Sequence, residues 1–132
     1  MYPAEFSYEA PASVADAVRL LTQHGDDAKL LAGGHSLLPA MKLRLAQPKV
    51  IVDLGRIDGL SGIRLDGDSL VIGARATHSQ IEKSPIVGEH AAWLAAVASA
   101  IGDDQVRHRG TMGGSLAHAD PAGDWPAVAL AL

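Results

Sequence analysis

Cysteine is absent from the 132 residues. That excludes disulfides, thiolate nucleophiles, cysteine-ligated zinc and Cys-ligated iron–sulfur clusters within this chain. Aromatic residues are scarce, at 4%. No long hydrophobic run occurs either. The most apolar stretch, Ala91 to Ile101, is about half the ~20 residues that a bilayer span requires. Basic residues never gather beyond a pair such as Lys42 and Arg44, which argues against an electrostatic nucleic-acid binder. A small anion held by backbone groups remains compatible with that charge pattern. The opening MYPAEFSYEAP has neither a basic n-region nor an apolar h-region, so no secretory signal is expected and a cytoplasmic location is the default.

What is present describes a globular chain. Hydrophobic residues make up 48% and charged residues 20%, with 11 basic against 15 acidic side chains for a net charge of −4. This composition lies far from that of disordered segments, and the length suffices for one core without staples.

The expected elements begin with a short strand around Phe6 to Tyr8. A helix follows, started at Ser13 or Ala12, with Val14, Ala17, Val18 and Leu21 on one apolar face and a stop at His24-Gly25. Lys29 to Ala32 reads as a short strand, Ser36 to Leu45 as a helix, and Lys49 to Leu54 as a β-branched strand. This is a strand–helix–strand unit whose strands could run parallel. From Leu60 the period shortens, and Asp66-Gly67-Asp68 between alternating segments signals a hairpin. Thr77 caps a short helix that Pro85 interrupts, and Ala91 to Ile101 is a mostly buried helix with Trp93 in the core. Residues 103–123 read as loop-rich with one short strand. Asp124-Trp125-Pro126 starts a last helix, capped by Asp124, whose apolar end suggests that the sequence continues or is covered by another chain. The division expected is a small α/β subdomain over 1–55 and the start of a second α+β subdomain, expected to be truncated, over 56–132.

Two segments carry the chemistry. Ala32-Gly33-Gly34-His35-Ser36 and Thr111-Met112-Gly113-Gly114-Ser115 each place a glycine pair after an extended run, with hydroxyl residues close by. Consecutive glycines let successive N–H groups converge on one anion, and a helix start near Ser36 adds its dipole. Two such nests suit a diphosphate. Neither segment has the Gly-Lys-Ser/Thr of a phosphate loop or a G-x-G-x-x-G fingerprint. Arg107 and Arg109 are either a solvated turn or long-range complements of the diphosphate. His118, Asp120 and Asp124 have a spacing that could be read as a metal site, but turn and helix capping is the expected use of these acids, and no metal is expected.

In combination, these two motifs, the Gln105-Val106-Arg107-His108-Arg109-Gly110 lead-in, His118-Ala119-Asp120-Pro121 and Asp124-Trp125-Pro126 resemble the FAD-binding (medium) subunit of molybdenum hydroxylases. The likeness extends to carbon monoxide dehydrogenase medium subunits and xanthine dehydrogenase FAD domains. The resemblance runs from Phe6 to Leu132. It implies a mixed α+β, vanillyl-alcohol oxidase-like fold in which the FAD diphosphate lies between an N-terminal βαβ-type subdomain and a second α+β subdomain. It further implies that Ala32, Gly33, Gly34, His35 and Ser36, then Thr111, Met112, Gly113, Gly114 and Ser115, hold the cofactor, with Asp124 near its polar chain and no catalytic residue in the acid–base sense. Position 115, commonly Asn in the family, is Ser here and can still donate. The implied activity is electron transfer in an oxidoreductase: electrons come from [2Fe–2S] clusters on a small subunit, fed by a molybdenum-cofactor large subunit, and FAD passes them to an external acceptor. The alternative is a truncated module that binds a nucleotide or partner without turnover. A β-branched residue at Gly33 or Gly114 is expected to abolish FAD retention, on the expectation of positive φ at both.

Overall fold

The Val50-Ile51-Val52 run becomes the middle of a three-stranded parallel sheet. In the computed structural model, which describes residues 1–132, strands β1 (Ser7–Glu9), β2 (Ala28–Leu31) and β3 (Val50–Asp53) lie in the order β1-β3-β2. Ser7 and Ala28 both register with Val50. A middle strand covered on both faces reads as a continuous apolar run, and Val50, Ile51 and Val52 are all buried. Helix α1 (Val14–His24) joins β1 to β2, and α2 (Leu37–Lys42) joins β2 to β3. These elements form one of two compact units, Met1–Asp58; the other is Gly59–Leu132.

Ser13 caps α1 as its residue type suggests, accepting from the Asp16 N–H at 3.1 Å. The Ser13 hydroxyl donates in turn to the Asp16 carboxylate, which, with Arg19 beside it, holds that carboxyl below its ordinary value. Gly25 ends the helix at φ +53°. Of the apolar stripe on α1, only Ala17 is buried, whereas Val14 and Val18 stay more than half exposed.

The second unit starts with a hairpin of β4 (Ile63–Asp66) and β5 (Ser69–Ile72), closed by Gly67-Asp68 with Gly67 at positive φ. At its exit the Gly73 N–H donates to Gly62 O at 2.8 Å and the Arg75 N–H to Leu60 O at 2.6 Å. A Cβ on Gly73 would lie 2.3 Å from the Leu60 carbonyl oxygen, a backbone atom. Gly73→Ala is therefore expected to destabilise this unit by about 2 kcal/mol, read as a lower denaturation midpoint at unchanged m-value. An unchanged midpoint would mean that the backbone yields there at no cost.

Six helices follow: α3 (His78–Lys83), α4 (Pro85–His90), α5 (Ala92–Ala100), α6 (Asp104–Arg109), α7 (Met112–His118) and α8 (Asp124–Ala131). Thr77 starts α3 with a full capping box, and Pro85 opens α4 behind its cap Ser84. Ala76, Ile81, Val87, Leu94, Ala98 and Trp125 form the core, with Ile72, Met112 and Val128 packed against it.

Four sequence expectations are corrected here. Residues 103–123 hold two helices rather than mostly loop. Asp103 caps α6 through the Val106 N–H, and Thr111 caps α7 through the Gly114 N–H. Helices of six or seven residues are too short to display an apolar period, so caps and tertiary packing make them. Trp93 is 47% exposed, and Trp125, at 0%, is the core tryptophan instead. Helix α5 is apolar almost all round, so its pattern does not tell which face turns inward. Asp124 is not the cap of α8: Gly123 occupies that place, and Asp124 sits in the first turn, where its charge suits the helix dipole. Arg107 is neither solvated nor free for an anion. It pairs with Glu82 at 3.3 Å and Asp104 at 2.7 Å and donates to the Ile101 and Gly102 carbonyls at the end of α5.

Candidate functional site

In the first unit the chain leaves β2 at Leu31 and turns through Ala32–Ser36 into α2. Gly34 makes this possible at φ +76°. A Cβ on it would meet Leu38 Cδ1 at 3.0 Å and Leu31 Cδ1 at 3.2 Å. The Gly34 and Ser36 carbonyls accept from the Leu38 and Ala40 N–H groups at 3.0 and 3.2 Å. The N–H groups of Gly33, Gly34, His35 and Ser36, by contrast, have no acceptor in the chain. Carbonyls committed to the helix and amides left open give the loop a net donor character, the polarity an anion needs. His35 and Ser36 are exposed, with His35 Nδ1 3.4 Å from the Gly33 carbonyl oxygen. Ser36 makes no side-chain cap bond, so its hydroxyl is also available.

The loop lies at the carboxyl ends of the parallel strands, where ligands of such sheets bind. On that same edge the Tyr8 hydroxyl donates to the Asp53 carboxylate, which raises the Tyr8 pKa, and the other Asp53 oxygen accepts from the Gly55 N–H at 2.7 Å. Sequence reasoning missed this pair. Its only sequence signal is an acid at the end of a β-branched run.

The second segment behaves differently. Residues 110–113 run antiparallel to residues 74–78. His78 N–H donates to Gly110 O, Met112 N–H to Ala76 O at 3.0 Å and Gly113 N–H to Ala74 O at 2.9 Å, with Thr77 and Thr111 paired between them. Thr111 is buried and caps α7, its hydroxyl accepting from Gly114 N–H at 3.2 Å, while Ser115 N–H donates to the Thr111 carbonyl. Every amide from Met112 to Ser115 is therefore taken within the chain. The expected nest of open N–H groups is not formed there, because the 74–76 backbone takes those of Met112 and Gly113 and the helix start at Thr111 takes those of Gly114 and Ser115. Gly113 is required by packing, since a Cβ would fall 2.6 Å from the Ala74 carbonyl oxygen. Open to a ligand is the Ser115 hydroxyl, half-buried and without a partner in the chain.

Positive φ likewise falls on Gly34 and not on Gly33, Gly113 or Gly114. Asp120 closes a turn by accepting from the Ala122 N–H at 2.9 Å, and His118, Asp120 and Asp124 are not gathered into a metal-holding group. No helix is long and apolar enough to cross a membrane.

Residues 4–132 match the family described as FAD binding domain in molybdopterin dehydrogenase. The chain belongs to this family. It is 53% identical over 132 residues to the carbon monoxide dehydrogenase medium chain of Hydrogenophaga pseudoflava, covering all of this chain and 46% of that one. It is 50% identical over 125 residues to the nicotine 6-hydroxylase medium subunit of Paenarthrobacter nicotinovorans, covering 95% and 44%. The solved carbon monoxide dehydrogenase from Hydrogenophaga pseudoflava superposes with a TM-score of 0.95 at 55% identity, over 97% of this chain and 45% of that one. Quinoline 2-oxidoreductase from Pseudomonas putida 86 gives 0.91 at 39%, over 96% and 44%. The chain thus spans less than half the length of these relatives. The mixed α+β architecture, the FAD-binding family and the kinship with oxidoreductase subunits all follow.

The residues of this FAD-binding domain fit the cofactor's diphosphate at the first segment on structural grounds. Four open amides, two of them on glycines, are what a dinucleotide phosphate requires.

Proposed function

We propose that this chain is the FAD-holding, electron-transferring component of a molybdenum hydroxylase of the carbon monoxide/xanthine dehydrogenase type. In this proposal Ala32, Gly33, Gly34, His35 and Ser36 hold phosphate through main-chain N–H groups. The Thr111–Ser115 segment contributes the Ser115 hydroxyl, and exposed Asp124 accepts from a hydroxyl of the cofactor's polar chain. Bound FAD supplies the redox chemistry, accepting electrons from [2Fe–2S] clusters on a partner subunit and yielding them to an external acceptor. The protein's own share is to bind, orient and shield. The lack of cysteine agrees with clusters carried by another chain, and a molybdenum-cofactor subunit is the third expected partner. A cytoplasmic site of action belongs to the same proposal.

The observation that carries the proposal is the open set of amides from Gly33 to Ser36 beside a glycine at positive φ. Titrating the purified protein with FAD tests it. Stoichiometric uptake with a perturbed flavin absorption spectrum that survives gel filtration is expected. Colourless protein after that step would reject it and favour a binding module without turnover.

A further inference from the structure

Within the second unit one buried imidazole is unused by the proposed cofactor contacts. His78, 5% exposed, is the first residue of α3, and its Nδ1 lies 3.0 Å from Trp125 Nε1. An indole nitrogen can only donate, so Nδ1 must accept, and the neutral ring carries its proton on Nε2. The two rings sit 6.0 Å apart at 35°. The other edge of the imidazole abuts the backbone of Gly110: a Cβ there would fall 2.6 Å from His78 Nε2 and 2.9 Å from Cδ2. The His78 N–H also donates to the Gly110 carbonyl at 3.0 Å. Gly110 immediately precedes Thr111, the buried cap of α7. The imidazole is thus wedged between α8, which carries Trp125, and the Gly110 backbone that joins α6 to α7.

We propose that the Trp125–His78 hydrogen bond is a positioning device that sets the place of the Thr111–Ser115 segment for the flavin nucleotide. This rests on the FAD reading above. The indole N–H fixes the rotation of the imidazole, the imidazole edge fixes how closely Gly110 approaches α3, and the Thr77–Thr111 pairing then has a single register. Both residues are positioning residues, without contact to the cofactor. Rotation of the ring displaces the Gly110 backbone and shifts the start of α7, and with it the Ser115 hydroxyl.

The test compares Trp125→Phe, His78→Leu and His78→Asn in the whole protein, reading FAD dissociation constant, flavin visible circular dichroism and apo-protein Tm. Asn can place an acceptor oxygen where Nδ1 stands, whereas Leu cannot, and Phe keeps the ring but not the donor. Trp125→Phe and His78→Leu are expected to weaken FAD binding about tenfold, the scale of leaving a buried polar group unpaired or removing its bond. Both should also alter the flavin dichroism. His78→Asn should restore binding to within about threefold of wild type. Wild-type affinity in Trp125→Phe and His78→Leu would overturn the proposal, and so would loss of binding by all three variants in step with apo-protein Tm. If the unmodified protein binds no FAD, the functional reading itself fails; if it binds and the variants match it, only this inference does.

Discussion

Gly34→Val is expected to lower FAD affinity on the order of a hundredfold, the largest single effect on binding in this chain. Backbone at φ +76° is a conformation that costs a β-branched residue about 1–3 kcal/mol, and each ~1.4 kcal/mol is a factor of ten in binding. The new Cβ would also begin 3.0 Å from Leu38 Cδ1 and 3.2 Å from Leu31 Cδ1, with its methyls closer still. Relief comes by swinging the loop away from the end of β2, which displaces the open N–H groups of Gly33 to Ser36. Equilibrium titration followed by flavin fluorescence reads the loss, with Tm as a control. Gly33→Val should cost less, because Gly33 lacks the positive φ expected of it from sequence. An affinity unchanged in Gly34→Val would remove the amide cradle from the account of function.

The largest expected effect on stability comes from Trp125→Ala, at about 3–5 kcal/mol. Trp125 is fully buried and the biggest side chain in its core, so truncation leaves a cavity lined by residues that cannot all collapse into it. It also removes the hydrogen bond from the Trp125 indole to His78 Nδ1, at a further cost. Against a total stability of roughly 5–15 kcal/mol for a small domain, most of the margin of the second unit goes. Urea denaturation followed by far-UV circular dichroism measures it. A loss below about 1 kcal/mol would mean that the indole packs no better than a surface ring.

The first unit was largely legible from local residues. Ser13, Gly25 and the β-branched Val50–Val52 run each act over a few positions, and each behaves as its type suggests, because capping and two-sided strand burial need only local chemistry. The stripe on α1 failed in part: Val14 and Val18 show the right spacing, yet the small Ala17 is the one turned fully inward. In the second unit the Thr77 cap was legible, whereas the caps Asp103, Thr111 and Gly123 and the pattern of burial were not. Trp93, expected in the core, is exposed; α5 lacks a polar face by which its orientation could be read. The helices at Asp104 and Met112 were missed because two turns carry no period and their stability comes from partners remote in sequence.

The two glycine pairs show the division most clearly. Sequence alone determined that the first pair lies at a turn out of extended chain, that the surroundings of both match one family of FAD-binding domains, and that no cysteine chemistry can occur in this chain. Only the tertiary structure decided which pair keeps its amides open. Nothing in the chain opposes the Gly33–Ser36 amides. Those of Met112 and Gly113 are answered by the Ala76 and Ala74 carbonyls, and those of Gly114 and Ser115 by Thr111 itself. A hydrogen-bond donor is free or committed according to what is folded against it, and for Met112 and Gly113 that partner segment lies more than thirty residues away along the chain.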